Sequence, residues 1–334
     1  MELTRINADH TNITNYFKIY VISLNTILND IIMIEDYVNK LIENLPEESK
    51  NLQRIDLVLD GGAFNGSYLV GALYFLKEME KRGYVKIERI SGCSIGSVVG
   101  FLYYINSLDL MPKLYDIVKS DFKNKFSLNS IKNLKHQLAD RIPDDICSKI
   151  NGKLIICYNN VKNNKKIIKS KYKNVDDIID TIIKSCYIPF LIDNNVLYKK
   201  KYIDGINAYI FKKEPNKKIL HMELLSYDKF FNSLNIKNEK SNFHRILEGL
   251  LDIHSFYIKK TNTNMCSFVE DWNIYNKIHY NLKIILERIT IYLLLIIVYI
   301  KKFLPKEIKD SIIFKLLSKI SFDIFSIFLE TYCI

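Results

Sequence analysis

Eight of the chain's eleven glycines fall between positions 61 and 100, within the stretch IDLVLDGGAFNGSYLVGALYFLKEMEKRGYVKIERISGCSIGSVVG that starts at Ile55. The chain is otherwise glycine-poor, so the cluster marks places where the backbone must turn tightly or approach a neighbour closely. There are two such places, each after a short apolar strand and before a helical pattern. Ile55, Leu57, Val58 and Leu59 read as a buried strand, broken by Asp60-Gly61-Gly62-Ala63-Phe64-Asn65-Gly66. Leu69, Leu73, Leu76 and Met79 then recur at helical spacing until Gly83, which is placed to stop the helix. Ile87 to Ile90 read as the next strand, and Val98, Val99, Leu102 and Ile105 as the next helix.

A glycine-rich turn feeding a helix N-terminus offers free N–H groups and the positive end of the helix dipole. The first turn therefore suits an anion, either a bound phosphate or an oxyanion that develops during a reaction. A tight connection without a ligand is the plain alternative, and the dinucleotide-binding fingerprint does not fit the spacing. The second turn, Gly92-Cys93-Ser94-Ile95-Gly96, is a G-x-S-x-G between strand and helix. This is the nucleophile-elbow pattern, in which small neighbours let a serine sit on a strained turn with its hydroxyl exposed to substrate. The helix beyond it favours negative charge near the serine oxygen.

A serine nucleophile needs a base. Six histidines are available, His10, His136, His221, His244, His254 and His279, and none lies in a glycine turn or beside a motif. His221, in the strand-like Ile219–Tyr227, reads as a core or edge residue. The chain does hold Tyr202-Ile203-Asp204-Gly205-Ile206, an acid at a strand end followed by glycine, with Ser185-Cys186-Tyr187-Ile188-Pro189-Phe190 upstream. With these pieces in order, residues 54–228 resemble the patatin-like phospholipases. That family combines a glycine-rich oxyanion loop, a Gly-x-Ser-x-Gly elbow and a later Asp-Gly turn, the last preceded by a Ser…Pro…Phe-like stretch.

The resemblance implies an α/β fold, with a mainly parallel sheet flanked by helices and wrapped by helical extensions at both ends. It implies Ser94 as nucleophile and Asp204 as base, a Ser–Asp dyad without histidine. The N–H groups of Gly61, Gly62 and Ala63 would form the oxyanion hole, with Asn65, Gly66, Gly92, Gly96 and Gly205 supporting the three turns. Three positions depart from the family pattern. Ala63 replaces a glycine, where left-handed backbone would cost about 1 kcal/mol. Asn65 replaces a Lys or Arg, and Ile206 a small residue. The implied activity is hydrolysis of lipid acyl esters, of phospholipase A or lysophospholipase type, with no cofactor and no metal. The alternatives are a weakly active or inactive relative that binds membranes, and a nucleotide binder, which leaves the elbow and Asp204 without a role.

The remaining sequence bounds the setting. At 334 residues and 48% hydrophobic, the chain is long and apolar enough for a buried core. Heavy use of Lys, Ile, Asn and Tyr fits an AT-rich genome, viral or protist, and says little about function. The net charge of +11 suits an acidic partner. Without an aromatic-basic nucleic-acid motif, an anionic membrane surface is the better expectation, with a solvated lysine-rich surface as the alternative. Six cysteines lack paired or metal-site spacing, and no secretory signal opens the chain. A reducing compartment, cytoplasmic or at a membrane surface, follows. The oligomeric state is not legible.

Residues 1–50 read as a helical cap that ends in the linker Leu45–Lys50, and Ile22, Ile27, Ile31 and Ile34 are among its apolar positions. Residues 109–150 suggest helices and a loop that cover the site or approach lipid. Lys153–Tyr158 and Lys165–Lys169 read as a strand pair around Asn159–Asn164. Six lysines between Lys162 and Lys173 form either a headgroup-facing patch or a lysine-guarded edge. Val175–Cys186 and Asn242–Lys260 read as helices, within a C-terminal region, 229–334, expected to be helical. Its uncharged run Ile289–Ile300 covers about 18 Å as helix, against roughly 30 Å of bilayer hydrocarbon. An apolar stripe follows at Ile313, Leu317, Ile320, Ile324 and Ile327. An in-plane membrane anchor, packing on the catalytic domain and a span that includes Glu287 and Arg288 all remain open.

Overall fold

The structure, a computed structural model, describes residues 33–226, 229, 233–237, 239 and 241–332. The chain divides into two compact units, Met1–Asn44 and Leu45–Ile334. In the first, residues 33–43 are helical. The remainder of the expected N-terminal helices falls on residues 1–32, outside the described residues.

In the second unit the described residues form a seven-stranded sheet. Its strands are β1 (Gln53–Leu59), β2 (Val85–Cys93), β3 (Leu154–Asn160), β4 (Lys165–Lys169), β5 (Tyr202–Asp204), β6 (Lys218–Met222) and β7 (Cys266–Phe268). The order is β4-β3-β2-β1-β6-β7, with β5 added to β3. The four central strands are parallel, and β4, β5 and β7 join antiparallel. The last five residues of β1 and the first six of β3 are buried without alternation, as strands covered on both faces require. This is the expected α/β arrangement, a mixed, mostly parallel sheet flanked by helices. One strand, β7, comes from the C-terminal region expected to be helical.

The flanking helices include α1 (Gly66–Lys81), α2 (Ile95–Tyr104), α3 (Met111–Lys125), α4 (Val175–Ser185) and α5 (Phe243–Lys259). Gly83 ends α1 with φ +76°, the left-handed residue that closes a helix. Where α1 and α5 cross, their backbones touch. A Cβ on Gly71 would lie 1.8 Å from the Ile246 carbonyl oxygen, and one on Gly249 1.9 Å from that of Tyr68. Beyond the sheet run α6 (Ile274–Phe303) and α7 (Ile312–Tyr332). No described helix is long and apolar enough to cross a membrane, so the spanning possibility has no support. On α6, Ile291 packs with Val161 and Ile203, while Leu286 and Leu293 on other sides of the helix stay 61% and 56% exposed.

Two of the six lysines of 162–173 already have acidic partners. β4 is an edge strand, yet Lys166 turns inward to Glu287 and Lys169 to Asp177. Lys166 thus meets a buried carboxylate and Lys169 a partly exposed one.

Candidate active site

Topology alone brings the two predicted side chains together. β2 climbs beside β3 and makes its last pairing between Cys93 and Cys157. β5 descends antiparallel on the same edge of β3 and ends where Asp204 pairs with Tyr158, the next residue. β4 occupies the other edge. The two strands thus meet end to end, and the residue that follows Cys93 arrives beside Asp204. Ser94 Oγ donates to Asp204 Oδ2 at 2.6 Å, across 110 positions of sequence.

The elbow depends on its small residues. Ser94 has φ 49° and ψ −131°, a strained conformation for a residue with a side chain. A Cβ on Gly92 would sit 2.6 Å from the Gly96 carbonyl oxygen, and one on Gly96 2.3 Å from that of Leu59. The Ser94 N–H donates to Ser185 Oγ at 2.9 Å, and that hydroxyl donates to the Cys157 carbonyl at 2.6 Å. Ser185, at the end of α4, therefore ties the elbow to β3. In the sequence it was visible only as part of the Ser…Pro…Phe-like stretch, without a role.

The glycine loop lies against the elbow. Gly61 is so close that a Cβ there would be 3.0 Å from Ser94 Cβ, and Gly66 abuts Ile95. The N–H groups of Gly61 and Gly62 have no acceptor among the described residues. Ala63 does take left-handed backbone, φ 46°. Asn65 is fully buried, and its amide nitrogen donates to the Leu224 and Lys229 carbonyls, both at 2.9 Å. Its oxygen accepts from Arg245 Nη1 at 2.6 Å. A guanidinium from α5 thus reaches the place where the sequence comparison showed a missing charge, a contact the sequence could not announce across 180 positions.

Asp204 is held from several sides. Ile206, itself at φ 56°, donates its N–H to Oδ1 at 2.7 Å, and Gly205 packs against the Cys157 carbonyl. Burial pushes the Asp204 carboxyl up to about 6, and Glu287 adds to this, against the Ser94 hydroxyl, the Ile206 N–H and Lys166. Such a carboxylate is a better proton acceptor near neutrality than an ordinary aspartate. His221 is buried beside Asp60, Nε2 to Oδ2 3.3 Å. Burial alone would raise the Asp60 carboxyl, but Lys283 and His221 hold it well below the usual range.

A narrow pocket of about 80 Å³ opens beside Ser94. Phe64, Val98, Met111, Leu114, Tyr115 and Ile192 are among its lining residues, and Ser94 and Gln137 are the hydrophilic ones. The segment after Leu108 does cover the site. What it builds there is an apolar slot next to a nucleophile and a set of free N–H donors, an arrangement able to hold a hydrocarbon chain with its carbonyl at Ser94.

Residues 57–206 match the family model of the patatin-like phospholipases.

That match contains the elbow, the glycine loop and Asp204. The patatin-like region is also similar to the 1-acylglycerol-3-phosphate O-acyltransferase Pnpla3 of Mus musculus, 28% identical over 163 residues, 46% of this chain and 39% of the relative. The human 1-acylglycerol-3-phosphate O-acyltransferase PNPLA3 is 28% identical over 137 residues, 39% of this chain and 28% of its own length. The omega-hydroxyceramide transacylase of Mus musculus is 22% identical over 136 residues, 39% and 23%. The chain thus spans well under half the length of the curated relatives it matches. α5, α6 and α7 lie outside the matched segment.

Proposed function

We propose that the chain is a lipid acyl hydrolase that works through an acyl-enzyme on Ser94. The observation that carries this reading is the 2.6 Å hydrogen bond from Ser94 to a buried Asp204, made beside an apolar cavity. Ser94 Oγ attacks the acyl carbonyl carbon as its proton passes to Asp204. The oxyanion takes hydrogen bonds from the loop N–H groups of Gly61 to Ala63, worth about 3–4 kcal/mol for a key donor. The ester C–O bond breaks and Asp204 returns the proton to the departing alcohol. Water then attacks the acyl-serine as its proton passes to Asp204; the C–Oγ bond breaks, the fatty acid leaves, and Asp204 returns the proton to Ser94 Oγ.

A second reading has its own support. The relatives are named as an acyltransferase and a transacylase, and Ser94 is only 6% exposed. A lipid hydroxyl in place of water at the second step makes the enzyme a transacylase with the same residues.

The test is fatty-acid release from mixed phospholipid vesicles by wild type and Ser94→Ala, with a labelled lysophospholipid present as acceptor. Loss of turnover by about 10³-fold or more in the variant is expected. Equal rates in both proteins would remove the dyad, and no activity in either would favour a non-catalytic membrane binder. Label in diacyl product rather than in free fatty acid would favour transfer.

A further inference from the structure

The polar face of α6 makes contacts that packing alone does not require. Glu287 is 2% exposed, although it carries a carboxylate. Its carboxylate accepts from Asn159 Nδ2 at 2.9 Å, from Asn207 Nδ2 at 2.8 Å and from Lys166 Nζ at 3.0 and 3.1 Å. The same Asn159 amide donates to the Asp204 carbonyl oxygen at 2.9 Å. Asn207 lies just past the Asp-Gly turn, its N–H bonded to the Gly205 carbonyl. One carboxylate therefore fixes the turn that carries Asp204 from both sides. One helical turn earlier, Lys283 donates to Asp60 at the start of the glycine loop, 3.1 Å, and to Glu223, 2.7 Å. A buried charge is costly unless fully paired, and an apolar residue would pack α6 more cheaply.

We propose that α6 completes the catalytic centre from outside the patatin-like match, with Glu287 as a positioning residue for Asp204. This rests on the reading of Ser94 and Asp204 given above. Around Glu287 stand Lys166 from β4, Asp204 from β5, Cys157 from β3 and Tyr280 from α6 itself. Asp204 is faced in turn by Cys93 and Cys186. Burial pushes the Cys93, Cys186 and Tyr280 groups far up, and Cys157 to about 11, so all four stay neutral through the working range. Of the charged side chains, Glu287 and Lys166 act on the carboxyl with opposite sign.

The experiment is kcat/KM against pH on phospholipid vesicles for the full chain, Glu287→Gln, Lys166→Gln and the double variant. Glu287→Gln moves the acid limb down by about half a unit or more, Lys166→Gln moves it up, and the double variant returns it towards wild type. The loss of rate in Glu287→Gln falls on kcat, with KM within about twofold, as expected for an interaction that matters at the reacting groups. Superimposed limbs, or limbs displaced in the same direction, overturn the proposal and leave α6 as packing. If Glu287→Gln does not fold, the sign of the Lys166→Gln displacement still decides. Full activity in Ser94→Ala would remove the dyad itself, an outcome separate from either result for α6.

Discussion

Ala63, Ser94 and Ile206 all hold left-handed backbone, with φ of 46°, 49° and 56°, one in each of the glycine-bearing turns of the site. Each costs about 1–3 kcal/mol and persists because its surroundings over-determine it. Ile206 is the least expected, since a β-branched residue is a genuine outlier there; its N–H is thereby aimed at Asp204. Ile206→Gly should raise unfolding free energy by about 1 kcal/mol, measured by denaturant titration, because glycine takes this backbone freely. The Asp204 carboxyl adds a second, pH-dependent cost. Its pKa is raised from 3.8 to about 6 in the fold, so the stability it lends is complete below about pH 4 and is lost as pH rises through about 6. Asp204→Asn should therefore stabilise the protein by up to about 3 kcal/mol at pH 8 and by little at pH 4. For the active protein, the same carboxyl must lose its proton before it can accept one, so kcat/KM should climb through pH 6. At this scale Ser94 and Asp204 were legible because each lies in a short glycine pattern at a strand end. The strain at Ile206 and the bond from Ser185 to the elbow were not, because both are set by residues distant in sequence.

Among the elements, those read most accurately were the ones with their own periodicity and stops: α1 closing at Gly83, α4, and α5 within a residue of its expected ends. The turn expected over Asn159–Asn164 was too long, since β3 continues to Asn160. β4 and β5 flank that end on either edge, and their pairing supplies ladder partners for residues 158–160 and so carries Asn159 into reach of Asp204 and Glu287. No local pattern in a three-residue strand announces that. The contact of α5 with the glycine loop was equally invisible. Arg245 is 2% exposed and bonds Asn65, Glu239 and the Asn235 carbonyl. Arg245→Ala leaves the partly buried Glu239 carboxylate and the buried Asn65 oxygen without their guanidinium, and should destabilise the chain by about 3 kcal/mol by denaturant unfolding. Gly249→Ala, which forces a Cβ onto the Tyr68 carbonyl, should cost more than the roughly 1 kcal/mol by which alanine ordinarily favours a helix.

At the scale of the whole molecule, two faces of α6 serve different ends. Its inner side meets β3, β4 and β5 through Glu287 and Ile291, and the residue after β6 through Lys283, while Leu282, Leu286, Leu293 and Ile296 remain 51–61% exposed. On α7, Ile313, Ile324 and Ile327 are 60–72% exposed. Exposed apolar side chains in such number suit a binding surface. The chain's +11 charge favours an anionic lipid surface as the occupant. The sequence left three fates open for Ile289–Ile300 because a run of twelve apolar residues looks alike in a core, in an interface and in a short span. Buried Glu287 ties one face of the helix to protein, and what meets the exposed face is decided by placing charge there. Leu286→Asp with Leu293→Asp places two charges on the free face alone. In liposome flotation the wild type should rise with anionic vesicles, and less so as salt screens its lysines. The double variant should stay at the bottom of the gradient with an unchanged denaturation midpoint. A variant that still floats would assign the face to packing between copies of the chain, which sedimentation at increasing protein concentration would then reveal.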